Sequence, residues 1–137
     1  MSLAIVKSRA QLGTDAPLVT IEVFLSGGLP SFSIVGMAET AVRESRSRVR
    51  AALSGLGVDL DEYNITVNLA PADIKKTGAS YDLPISLGIL AASEILKNSQ
   101  LNNYCAIGEL SLDGSVRNTP GILPMVMAAR SAGFKGI

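Results

Sequence analysis

At 137 residues the chain is long enough for one packed core and short for two. Hydrophobic residues make up 47% and charged residues 18%, with 12 Lys and Arg against 12 Asp and Glu, a formal net charge of +0. That balance excludes whole-molecule attraction to nucleic acid or an anionic membrane, so any such contact must come from a local patch, while the thinly charged surface leaves apolar area for a partner.

The single cysteine, Cys105, has no partner for an internal disulfide and lies in an apolar run, which fits a buried, inert thiol in a reducing compartment. Residues 1–6 lack the charged segment that opens a signal peptide. The longest apolar run is broken by Ser86, Gly88 and Ser93 and stops at Lys97, too short to span a bilayer. A cytoplasmic location without a membrane partner is expected.

Residues 4–9 form a plausible first strand. In residues 19–26, Val19, Ile21 and Val23 alternate with Thr20, Glu22 and Phe24, the period of a second strand. Gly27-Gly28 then makes a turn, and residues 29–35 are expected to return as its hairpin partner. Residues 38–56 predict a helix, with Val42, Val49, Leu53 and Leu56 on one stripe and Gly55 or Gly57 as its stop.

After the acidic link at 58–62, residues 64–69 predict a strand, and residues 82–96 a helix apolar on most sides, capped by Ser80 or Asp82. A short strand is expected at 104–108 and a hairpin at 109–117 with Asp113-Gly114 at its tip. Thr119 and Pro120 introduce a third helix to about residue 132, with Gly133 as its C-cap. Residues 134–137 then begin another strand, so the chain reads as one domain, 1–137, cut from something longer. The element order gives an α+β fold, a mixed sheet with helices on one face.

No phosphate-cradling G-x-x-x-x-G-K-[ST] is present, and Lys75-Lys76-Thr77-Gly78 lacks its spacing, so this stretch alone should not hydrolyse ATP. The absence of histidine removes Ser-His-Asp and Cys-His catalysis and most zinc sites. Asp59, Asp61 and Glu62 lack the length and turn glycine of a calcium loop and fit a solvated turn. No cofactor and no metal are expected here.

Serine chemistry remains. The loop 71–80 delivers Ser80 to the start of a helix, where a lysine of lowered pKa could activate it. Lys75 and Lys76 are near in sequence, but a double lysine in a polar loop is expected to be solvated. On the first helix, Arg43, Arg46 and Arg50 share a narrow arc while Arg48 points elsewhere. Glu39 can pair with Arg43 and Glu44 with Arg48, which leaves Arg46 and Arg50 for phosphates, for a neighbouring subunit's carboxylates, or for water.

The segments MSLAIVKSRA, GLPSFSIVGMAETAVRESRSRVRAAL and NLAPADIKKTGASYDLPISLGILAAS resemble the start of the ComM/YifB family of magnesium-chelatase-related AAA+ ATPases. The resemblance covers the whole chain. It implies an accessory domain ahead of a motor module that binds ATP and magnesium, a homo-oligomeric ring, a hexamer in that family's manner, and DNA as partner in branch migration during natural transformation. Arg43, Arg46, Arg50, Lys75 and Lys76 are then the candidate DNA or subunit contacts.

A weaker resemblance, to the proteolytic domain of Lon, rests on Gly78 and Ser80, then Gly108-Glu109, Gly114-Ser115-Val116 and Pro120-Gly121. It implies a two-layer sandwich of the ribosomal-protein domain-2-like type and sets Leu123 at the position of the catalytic lysine. General-base help is worth about 10²–10⁴-fold, so a serine without its base is expected to be inert. Three functions stay open: a non-catalytic domain for ring assembly and DNA contact, a residual Ser-Lys peptidase using Ser80 with Lys75 or Lys76, and a pure scaffold.

Overall fold

Alternating apolar residues build the sheet. The computed structural model describes residues 2–137, with side chains described everywhere except at 98–100. Strands β1 (Ser2–Arg9), β2 (Leu18–Ser26), β3 (Ser31–Val35) and β4 (Asn64–Ala70) form one sheet in the order β1-β2-β4-β3. Val6, Ile21, Val67 and Ile34 turn to one face with their alternate neighbours and are buried. That face is covered by α1 (Glu39–Gly55), which packs on β3, and α2 (Asp82–Ala92), which packs on β1, β2 and α1. The other face stays open, with Leu3 and Val35 both more than half exposed. An α+β fold with a mixed sheet and helices on one face is therefore what forms.

The pairing of β3 corrects the sequence reading. The stretch after Gly27-Gly28 does not return beside β2. It pairs in parallel with β4, Phe32 opposite Ile65 and Ile34 opposite Val67. β4 lies between them, antiparallel to β2 from Thr20–Ala70 to Ser26–Asn64. An alternating pattern places side chains on faces but does not choose a neighbour. With β1 on its other edge, β2 has its remaining edge taken by the fully apolar inner row Ile65, Val67 and Leu69.

Helix α1 buries Val42, Val49 and Leu53, each worth about 1.5–3 kcal/mol when removed from water. Leu56, expected on the same stripe, is 69% exposed because it is the C-cap, where the chain leaves the helix axis. Helix α2 lies close enough to the sheet that a Cβ on Gly88 would sit 2.4 Å from Val23 Cγ2. It stops at Ala92 and not at residue 96. Ser93 caps it, and Glu94 takes a left-handed φ of 66° that no helix continues.

Expectations for the last third hold in part. β5 (Glu109–Leu110) and β6 (Val116–Arg117) form the expected hairpin, its tip closed by the Ser115 N–H donating to Asp113 Oδ1 at 3.0 Å. The strand expected at 104–108 is reduced to isolated bridges, Cys105 beside Lys7 and Tyr104 beside Gly136. Helix α3 (Ile122–Ser131) follows Gly121 and ends before Gly133, and buries Met125 and Ala129. The Cys105 thiol is buried, as its apolar setting suggested. Among the described residues no helix is long and apolar enough to cross a membrane.

Candidate functional site

Ser80 sits where the sequence puts it, at the entrance to α2, with its side chain partly exposed. Its carbonyl accepts the Gly108 N–H at 2.8 Å, but its hydroxyl makes no hydrogen bond among the described residues. Lys75 is exposed. Lys76 is not the solvated residue its polar neighbours suggest, being only 3% exposed. Its long apolar stem tucks under the loop, and its Nζ donates to the carbonyl of Pro71. Burial lowers the Lys76 pKa, with Asp73 opposing. A lowered lysine is what a base requires, yet this ammonium is committed to a carbonyl.

Leu123 stands apart from that loop. It is 66% exposed and lines an apolar groove with Thr14, Asp15, Pro124 and Met127, in which Ser80 has no part. Among the described residues no side chain hydrogen-bonds the Ser80 hydroxyl; Lys76 is bonded to Pro71, and Leu123 lines a groove that Ser80 does not.

The strongest polar cluster begins two residues on, and local sequence rules do not reveal it. Asp82, expected as a helix cap, turns inward and is fully buried. It accepts from Ser45 Oγ at 2.7 Å, from Arg48 Nε at 2.5 Å and Nη2 at 3.2 Å, and from the Leu110 N–H at 3.1 Å. The carboxylate therefore ties α1, α2 and β5 together and holds the Arg48 guanidinium above its ordinary pKa. Glu44, the partner expected for Arg48, is 4.0 Å away and mostly exposed. A polar residue within an otherwise apolar α2 was the available signal, but nothing local points from Asp82 to Arg48.

The other arginines keep their expected arc. Arg43, Arg46, Ser47 and Arg50 follow at i, i+3, i+4 and i+7 along α1 and, with Phe32, line a concavity of about 290 Å³. Glu39 makes no ion pair with Arg43 among the described residues. Arg46 donates from Nη1 to the Phe32 carbonyl at 3.0 Å, the outward-facing acceptor of edge strand β3. Arg50, expected to lack a nearby acid, pairs with Asp61 at 2.8 Å because a 3₁₀ turn at Leu60–Glu62 folds back beside α1. Asp59 caps that turn, its Oδ1 accepting the Asp61 N–H at 2.9 Å.

Gly78 is the only glycine of the loop 71–80, and among the described residues no three His, Cys, Asp or Glu side chains gather closely enough to hold a metal ion.

Comparison with known proteins accounts for this mixture. A family model described as "Subunit ChlI of Mg-chelatase" matches residues 21–137. YifB of Salmonella typhimurium is 50% identical over 133 residues, 97% of this chain and 26% of that protein. Competence protein ComM of Haemophilus influenzae is 50% identical over 132 residues, 96% of this chain and 26% of that protein. The chain thus spans about a quarter of the length of these curated relatives. Lon protease of Halothermothrix orenii is 29% identical over 131 residues, 90% of this chain, which supports a Lon-domain-like fold. The chain belongs to the family of the ChlI subunit of Mg-chelatase, with YifB and ComM among its relatives.

Proposed function

We propose that the chain is the non-catalytic domain of a longer, cytoplasmic, ATP-driven protein, where it serves ring assembly and DNA contact during branch migration. The observation that carries the non-catalytic half is the isolation of Ser80: Lys76 is bonded to the Pro71 carbonyl, and Leu123 lies in another groove. The contact half is supported by the arginine arc of α1, by the word competence in ComM's name, and by the sequence's resemblance to ring-forming motors. ATP and magnesium belong to the motor module and not to these residues. One observation favours a Ser-Lys peptidase instead, the lowered pKa of buried Lys76 shortly before Ser80.

A fluorophosphonate probe separates the two readings. A serine without a base is expected to show no labelling above that of the Ser80→Ala variant, because the missing base withholds about 10²–10⁴-fold of rate. Labelling that disappears in Ser80→Ala and in Lys76→Met would establish the peptidase.

A further inference from the structure

The three arginines of the α1 arc are not equivalent. Arg43 is exposed and makes no ion pair among the described residues. Arg46 is half-buried and steadied by the Phe32 carbonyl, a bond that uses one of its five N–H donors. Arg50 alone is held by an acid, its Nη1 2.8 Å from Asp61 Oδ1. It stands at a junction, lining both the 290 Å³ concavity that it shares with Arg43 and Arg46 and a second hollow of about 490 Å³ toward Asp59 and Asp61. The turn that carries Asp61 is anchored, with Leu60 buried beneath it and Asp59 Oδ1 accepting the Asp61 N–H at 2.9 Å. The pair itself lies largely in solvent, 47% and 74% exposed, and such pairs exchange partners at small cost.

From Arg43 to Arg50 the helix rises roughly 10 Å, a length over which one strand of a DNA duplex presents about three phosphates. The residues that line the concavity include no acid, and their one aromatic ring, Phe32, is only 6% exposed, so no unpaired base can stack there. The face offers charge to a backbone and nothing to a base. We propose that the arc grips the phosphate backbone of duplex DNA through Arg43 and Arg46, without reading sequence, and that Asp61 withholds Arg50 from a third phosphate. The Asp61 carboxylate occupies the guanidinium donors that a phosphate oxygen would otherwise take. The inference rests on the DNA-contact half of the proposed function and specifies both the ligand group and its built-in competitor.

Fluorescence anisotropy of a labelled mixed-sequence duplex, titrated with the 137-residue chain over a range of salt, tests it. At about 0.9 per phosphate, the wild type is expected to show a log–log salt slope of about −1.8, and Asp61→Asn to bind about fivefold more tightly with a slope of about −2.7. Glu62→Gln removes the same charge from the same exposed turn, from a side chain with no arginine partner among the described residues, and is expected to match the wild type. Adding Arg50→Gln to Asp61→Asn is expected to abolish the gain. Binding by the wild type with no gain in Asp61→Asn, an equal gain in Glu62→Gln, or a gain that survives Arg50→Gln overturns the inference and leaves the DNA-contact reading standing. So does a preference of about tenfold or more for one duplex sequence over another, which a backbone grip does not produce. No salt-dependent binding by either the wild type or Asp61→Asn would end the DNA-contact reading itself, and this inference with it.

Discussion

Replacing Asp82 by alanine is expected to destabilise the fold by about 3–5 kcal/mol, the range for removing one partner of a buried ion pair. The substitution strands three groups at once. Arg48, with only 20% of its side chain exposed, loses its nearest anion; the Ser45 hydroxyl and the Leu110 N–H lose their acceptor away from water. Against a total stability of about 5–15 kcal/mol this is a large share, and it corresponds to a fall of roughly 10–20 °C in Tm. Urea unfolding measures it. Because the penalty comes mainly from the charge left behind, combining Asp82→Leu with Arg48→Met should recover part of the loss. An alanine variant within about 1 kcal/mol of wild type would show that the network contributes little.

Gly36→Ala should come next in size, at about 2–4 kcal/mol. Gly36 holds φ +104°, a conformation L-residues rarely adopt, where β3 turns toward α1. An added Cβ would stand 2.5 Å from the Leu69 carbonyl oxygen and 3.2 Å from Leu69 Cβ. Strain and collision act together, and the obstacle is the backbone of β4, which is fixed on both sides by β2 and β3. A lowered urea midpoint with an unchanged slope is the expected signature. An unchanged midpoint would mean that β3 and β4 separate more easily than their pairing implies.

Periodicity made most of the fold legible. Alternation located β1, β2 and β4, the α1 stripe located its buried face apart from Leu56, and Asp113-Gly114 located the hairpin tip. What stayed hidden is long-range. The insertion of β4 between β2 and β3 depends on competition for one strand edge, which no local pattern records. Asp82 looked like a cap because capping is a local rule, whereas its partners Ser45 and Arg48 come from another helix. Lys76 looked solvated because its neighbours are polar, but the folded loop buries it and bonds its Nζ to the Pro71 carbonyl. The arginine arc was visible from helical spacing; the acidic turn that neutralises Arg50 was read as a separate link, because only the 3₁₀ turn brings it back to α1.

The claim at the centre is that this domain works by contact and not by serine chemistry. The direct measurement is ATP-driven remodelling of branched DNA, the activity proposed for the longer protein, with that protein carrying either Ser80→Ala or the pair Arg46→Glu and Arg50→Glu. The account predicts a rate within about twofold of wild type for Ser80→Ala, since an unactivated hydroxyl contributes nothing to the reaction. It predicts a loss of about tenfold or more for the arginine pair, with DNA binding or ring assembly weakened in parallel. Remodelling that fails in Ser80→Ala but survives the double charge reversal would contradict it.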